Sequence, residues 1–147
     1  MSTVQIACRQ KEIPQKTEFL SWVEASQQAA GQAGEITVRI VDENEMGLLN
    51  QQFRGKEGPT NVLSFPFETS HEVEEEILGD IVICAQLVEQ EAVEFQVSPQ
   101  LRWAHMTVHG VLHLCGYLHN IDAEAKQMEQ LESRILMELG FSDPYEG

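Results

Sequence analysis

Three histidines in one short segment have the spacing of a metal site. They lie in His109-Gly-Val-Leu-His113-Leu-Cys-Gly116-Tyr-Leu-His119. If the segment is helical, His109 and His113 share one face with their Cβ atoms about 6 Å apart. Gly116 would end the helix and turn the chain back, which brings His119 toward the same ion. Three neutral imidazoles favour zinc or a similar divalent metal over calcium or magnesium.

Neighbouring candidates do not fit the same ion. His105 lies about 12 Å along the helix axis from His113, so we interpret it as a core residue or as a contact behind a ligand. Cys115 points away from His113 on the helical wheel, and His71 is expected at the surface of an acidic stretch. Three protein ligands with an open fourth position are typical of catalytic zinc. The alternative, histidines that only pack, is disfavoured by the glycine before His119.

The residue types around the histidines separate two kinds of hydrolase. The spacing matches the long zinc-protease motif, but Gly110 stands where that motif has its glutamate base. No Asp or Glu occurs from Phe95 to Ile121, although 24 of the 147 residues are acidic. A divalent cation in such a segment would create a positive site that suits an anionic substrate such as a phosphodiester.

A second cluster, Arg54-Gly-Lys56 on a Gly/Pro-containing loop, holds two of the nine basic residues. An arginine at Arg54 could hold a phosphate through two parallel hydrogen bonds. The alternative is a solvated surface charge, and the residue types alone do not decide between them.

Hydrophobic periodicity predicts the elements that position these residues. Ser98 and Pro99 mark the start of the helix that carries the histidines, and that helix is apolar nearly all round and therefore buried. Pro66 indicates an edge strand or a bulge. The irregular mixture predicts an α+β fold: one compact domain over 1–147, with a small mixed sheet and helices packed around the buried His-bearing helix. We expect strands over 3–8, 35–42, 61–68 and 79–84 and helices over 17–30, 43–53, 85–95 and 99–115. A final helix is capped by Asp122, and its apolar face carries Met128, Leu131, Ile135 and Leu139. The acidic stretch 68–76 is expected to be a surface loop.

Composition narrows the function classes further. A net charge of −15 argues against a protein that binds nucleic acid over its whole surface, but it leaves a local patch open. No basic-then-apolar start and no run of about 20 apolar residues is present, so we expect neither a signal peptide nor a membrane span. Three scattered cysteines without a C-x-x-C pattern favour the cytoplasm and exclude a cysteine zinc site.

The motifs together resemble those of the YbeY family. The histidine segment resembles the family's metal motif H-G-x-L-H-L-x-G-Y-D-H. The stretch from Phe53-Arg-Gly-Lys through Pro59-Thr-Asn-Val-Leu-Ser-Phe-Pro66 resembles a second signature, and Leu78-Gly-Asp-Ile81 resembles a third. Their order and spacing agree over essentially the whole chain.

The resemblance implies a metal-dependent, single-strand-specific endoribonuclease of ribosomal RNA maturation and ribosome quality control. It implies an α+β fold, one Zn²⁺ per chain on His109, His113 and His119, and a functional arginine at Arg54. Its implied partners are ribosomal RNA precursors and the small ribosomal subunit, with ribosomal proteins as further candidates. Two alternatives stay open: a ribosome-assembly factor with a structural metal, and a zinc metalloprotease-like hydrolase.

Two positions depart from the family's pattern. Leu118 stands where the family usually has Asp, and Asn61 replaces another common Asp. Each change removes a carboxylate, and neither removes a predicted ligand.

Overall fold

The computed structural model describes residues 2–67 and 77–145, and the described chain forms four strands and five helices. This is the predicted α+β fold in a single compact domain. In chain order the elements are β1 (Thr3–Ile6), α1 (Lys16–Ala30), β2 (Glu35–Val41), α2 (Glu43–Arg54), β3 (Val62–Pro66), β4 (Ile77–Cys84), α3 (Ala85–Glu94), α4 (Pro99–Leu114) and α5 (Asp122–Glu138).

The strands form one mixed sheet in the order β1-β2-β4-β3. β1, β2 and β4 are parallel, and β3 runs antiparallel to β4 at the edge. β-Branched residues fill the buried face of β2 and the end of β4, where residues 81–84 are buried on both faces. Pro66 ends β3, so the predicted edge position of this strand is confirmed: an edge strand tolerates the missing backbone N–H.

Helix α4 is the centre of the core. It packs against α1, α3, α5 and the sheet, and 11 of its 16 residues are buried. Ser98 caps its start, as predicted: its Oγ accepts a hydrogen bond from the Leu101 N–H at 3.1 Å. The buried His-bearing helix predicted from the sequence is therefore confirmed.

Gly110 lets α4 approach the sheet closely. A Cβ atom at this position would lie 2.8 Å from Cγ2 of Ile81 on β4, closer than packed carbon atoms approach. On the neighbouring strand β3, the Ser64 hydroxyl donates a hydrogen bond to the Gly110 carbonyl at 3.1 Å. The missing side chain at Gly110 and the hydrogen bond from Ser64 therefore allow the His-bearing helix to lie close to the sheet.

The observed elements differ from the predicted ones mainly at their ends. The prediction that Asp122 caps α5 is wrong: the backbone is extended at Ile121 and already helical at Asp122, which makes no side-chain cap. Its carboxylate instead lies in the first turn, where it complements the helix dipole. The acidic stretch 68–76, with His71, lies outside the described residues. Within the described part of the chain, no helix combines the length and the hydrophobicity that crossing a membrane requires.

Candidate metal centre

His109, His113 and His119 come together at the C-terminal end of α4. One ligand atom from each lies within 4.8 Å of those of the other two, and the Nε2 atoms of His109 and His113 are 3.1 Å apart. A tetrahedral zinc with bonds of about 2.1 Å holds its nitrogen ligands about 3.4 Å apart. The arrangement and chemistry of the three imidazoles therefore fit a single zinc-like ion.

Gly116 makes the turn that carries His119 back to the helix. Its φ angle of +99° is one that side-chain-bearing residues rarely adopt. Two hydrogen bonds close the turn: the Gly116 N–H donates to the His113 carbonyl, and the Tyr117 N–H donates to the Leu112 carbonyl, both at 3.0 Å. These two hydrogen bonds fix the direction in which the loop leaves the helix.

The histidines line a cavity of about 510 Å³, and Arg54 lines the same cavity. Arg54 is the last residue of α2, where Gly55 ends the helix with a φ of +64°. Its exposed side chain lines the same cleft as His109, which lies 55 positions further along the chain. No carboxylate is among the described lining residues, whose remaining members are Thr60, Asn61, Val62, Leu63, Ser64, Pro66, Leu118 and Asn120.

The position of His113 favours its neutral form. Burial, together with the nearby rings of His109 and His119, lowers the pKa of His113 to about 4. At neutral pH this imidazole is uncharged, which is the state that a metal ion requires of a ligand.

The sequence analysis missed Glu132, a buried carboxylate of α5 that contacts His109. The Glu132 side chain is 1% exposed, and its Oε2 accepts a hydrogen bond from Nδ1 of His109 at 2.6 Å. Burial opposes ionisation, but hydrogen bonds from His105 and His109 outweigh it and lower the pKa of Glu132 to about 2. An acceptor that is ionised at neutral pH therefore lies behind His109.

Glu132 corrects one inference from the sequence. The acid-free run from Phe95 to Ile121 does not make an acid-free surrounding, because α5 supplies a carboxylate from outside the run. This carboxylate reaches the Nδ1 side of His109 and lines a second cavity beside His109 and His119, not the cleft that holds Arg54. A signal was present in the sequence: Glu132 lies four residues after Met128 and three before Ile135, on the apolar stripe of α5, where an acid is expected only with a partner.

His105 is not among the three grouped histidines, in agreement with its predicted place behind the site. Its buried ring lies between two charged groups. Nδ1 is 3.3 Å from Nη1 of Arg102, and Nε2 is 3.3 Å from Oε1 of Glu132. Arg102 in turn pairs with Glu91 at 2.9 Å. Cys115 is also buried and lies outside the histidine group, as the helical wheel indicated.

The two departures from the family pattern have different surroundings. Leu118 is exposed and forms part of the cavity wall. The Asn61 amide donates hydrogen bonds to both carboxylate oxygens of Glu91, at 3.2 and 3.3 Å. An aspartate at 61 would face this carboxylate with a like charge, so asparagine suits the environment of this chain.

Comparison with known proteins decides the family. A family model described as endoribonuclease YbeY matches residues 4–140, which include all three histidines and Arg54. The chain belongs to the YbeY endoribonuclease family. Among solved structures, the solution structure of TM1509 from Thermotoga maritima is similar to this YbeY-family chain, with 27% identity and a TM-score of 0.59. That match covers 98% of this chain and 99% of the other, so the common fold extends over the whole domain.

Proposed function

We propose that this YbeY-family chain is a single-strand-specific, metal-dependent endoribonuclease. Over residues 1–147 it forms one catalytic domain with one Zn²⁺ on His109, His113 and His119. Its substrates are ribosomal RNA precursors, met in the cytoplasm on the small ribosomal subunit during rRNA maturation and quality control. The observation that carries the proposal is the cleft itself, which joins three imidazoles and an arginine and has no carboxylate among its described lining residues.

The cleft residues divide the work on a phosphodiester. When bound, the metal supplies Lewis-acid chemistry that polarises a phosphoryl oxygen or activates water. Arg54 donates two hydrogen bonds to phosphate oxygens and stabilises the charge that develops on them in the transition state. The uncharged state of His113 keeps a nitrogen lone pair available at neutral pH. Glu132, behind His109, is not in contact with the cleft and takes no direct part.

The metalloprotease alternative loses support from the packing of α4. Position 110, where a zinc protease has its base, faces Ile81 on the sheet and not the cleft. A glutamate there would have to displace β4 before it could reach a metal-bound water. The assembly-factor alternative is separated from an enzyme only by activity.

The decisive experiment measures cleavage of an unstructured, fluorescently labelled RNA by the protein as purified, after chelation, and after zinc is restored. We expect cleavage that chelation abolishes and zinc restores, little cleavage of the matching DNA, and no cleavage of a casein-derived peptide. Circular dichroism must show that the chelated protein stays folded. His113→Ala should be folded, metal-poor and inactive.

Two outcomes would overturn the proposal. Full zinc content in His113→Ala, measured by elemental analysis, would remove the three-histidine site. A folded, zinc-loaded protein that binds RNA without cutting it would support the assembly factor, and metal-dependent peptide cleavage would support the protease.

A further inference from the structure

We propose that Glu132 is a positioning residue for the metal centre and that His105, Tyr145 and Arg102 hold it in place. The inference rests on the proposed metal site but concerns residues outside it. Four side chains from α4, α5 and the C-terminal segment form one chain of hydrogen bonds ending at His109, and its two central members, His105 and Glu132, are buried.

The first link fixes the proton on His109. The Glu132 carboxylate accepts a hydrogen bond from Nδ1 of His109, 2.6 Å away, so Nδ1 carries the hydrogen. The lone pair of the imidazole is then on Nε2, the atom that lies 3.1 Å from Nε2 of His113. Glu132 thus selects the tautomer and the ring orientation that a shared ion needs.

The second link fixes Glu132 itself. Arg102 has only donors, so Nδ1 of His105 accepts from it and Nε2 of His105 must carry the hydrogen. That hydrogen points toward Oε1 of Glu132 at 3.3 Å and the Tyr145 oxygen at 3.0 Å. The Tyr145 hydroxyl donates to the same Oε1. Each described hydrogen-bond partner of the carboxylate is therefore a donor, and together they hold Oε1 and Oε2 on different partners.

The third link ties this arrangement to the rest of the fold. Arg102 pairs with Glu91 and lies 5.0 Å from the centre of the Phe95 ring. Tyr145 is held from the other side, because Asp143 accepts hydrogen bonds from the Ser133 hydroxyl at 2.8 Å and the Tyr145 N–H at 2.9 Å. A residue 26 positions after His119 thereby supports the ligand set without touching it.

The test is the affinity for Zn²⁺ alone, measured by competition with a chromophoric chelator, in Glu132→Gln and Tyr145→Phe. Loss of such a supporting partner typically weakens metal binding about 10- to 100-fold. We expect that loss for Glu132→Gln and a smaller one for Tyr145→Phe, which keeps the ring. Glu138→Gln, an exposed change on the same helix, is the matched control and should bind zinc like the unmodified chain.

A second readout separates positioning from stability. In the metal-free protein, ¹⁵N NMR of the histidine rings should show His109 as the Nδ1–H tautomer and lose that preference in Glu132→Gln. Unchanged zinc affinity and an unchanged tautomer in folded Glu132→Gln would overturn the proposal. If Glu132→Gln does not fold, Tyr145→Phe decides the question. A weaker zinc affinity at an unchanged tautomer population would support the proposal that Tyr145 holds Glu132 in place, and an affinity like that of the control would refute it. If the unmodified chain does not bind zinc, the proposed function is refuted. The tautomer of His109 is measured in the metal-free protein, so it tests the role of Glu132 separately.

Discussion

At the scale of single residues, two groups with lowered pKa values, His113 and Glu132, contribute to the response of the fold to acid. The pKa of His113 is lowered from 6.5 to about 4 and that of Glu132 from 4.5 to about 2. Between pH 6.5 and pH 4 for His113, and between pH 4.5 and pH 2 for Glu132, the unfolded chain binds more protons than the folded one. The free energy of unfolding therefore falls as the pH falls. The His113 contribution is complete above pH 6.5 and is lost toward pH 4, and that of Glu132 is lost below pH 4.5.

Denaturant unfolding of the metal-free protein over this pH range measures the effect. We expect His113→Ala to flatten the decline between pH 6.5 and pH 4 and to leave the decline below pH 4.5 in place. An equally steep decline in the variant between pH 6.5 and pH 4 would show that other groups cause it.

Arg54 tests the difference between a surface charge and a phosphate contact. Arg54→Lys keeps the charge but loses the planar pair of donors. We expect a folded, zinc-loaded enzyme whose kcat/KM for unstructured RNA is about a hundredfold lower, the usual effect of losing one transition-state donor. Lys56→Arg on the adjacent loop is the matched control and should cleave normally. Normal cleavage by Arg54→Lys at sub-saturating RNA would remove Arg54 from the reaction.

Asn61 tests the interpretation of a departure from the family pattern. Asn61→Asp replaces a donor to Glu91 with a like charge, and we expect it to lower the free energy of unfolding by about 1–2 kcal/mol. Asn61→Ala removes the hydrogen bonds without adding charge and should cost less. Chemical denaturation of the three proteins ranks their free energies of unfolding. The reverse order of the two variants would mean that Glu91 does not interact with position 61.

At the scale of elements, the turn after α4 is both a helix end and part of the site. Gly116→Ala puts a side chain at a φ of +99°, and Gly140→Ala does the same at +96° after α5; neither new Cβ would meet an atom within 4 Å. Both variants should lose about 1 kcal/mol of stability from backbone strain. Only Gly116→Ala should also weaken zinc binding, because only this turn carries His119. Equal zinc affinity in the two variants would contradict a role for the turn.

The elements that sequence could predict are those whose signals are local. The start of α4 is visible in Ser98-Pro99, its burial in its apolar surface, and its end in Gly116, so the three candidate ligands could be named before the fold was known. Arg54 could be linked to them only through a family resemblance, because the cleft joins the end of α2, the β3 region and the end of α4, which are far apart in the sequence. Glu132 and Tyr145 were missed because their contact with His105 depends on how α5 and the C-terminal segment pack, which no short motif records.

At the scale of the whole molecule, the charge of −15 limits how RNA can bind. Arg54 is the only Lys or Arg among the described residues that line the cleft. For single strands the logarithm of affinity falls with the logarithm of salt concentration by about 0.7 per neutralised phosphate. With one or two such contacts, KM should rise less than about tenfold between roughly 50 and 200 mM salt. Initial rates over this range measure the slope, and a rise of about a thousandfold would reveal an extensive basic surface elsewhere.

The three histidines lie on elements of different burial, and this difference bears on the kinetics of metal exchange. His109 and His113 project from the most buried helix of the protein, whereas His119 lies on the exposed loop 116–120. An ion bound at the proposed site would find two nitrogens already placed by the helix, and His119 would complete the set from the loop. We therefore expect the residence time of the ion to depend on movement of this short loop more than on opening of the helix. Exchange of the ion would then leave undisturbed the core that carries His109 and His113.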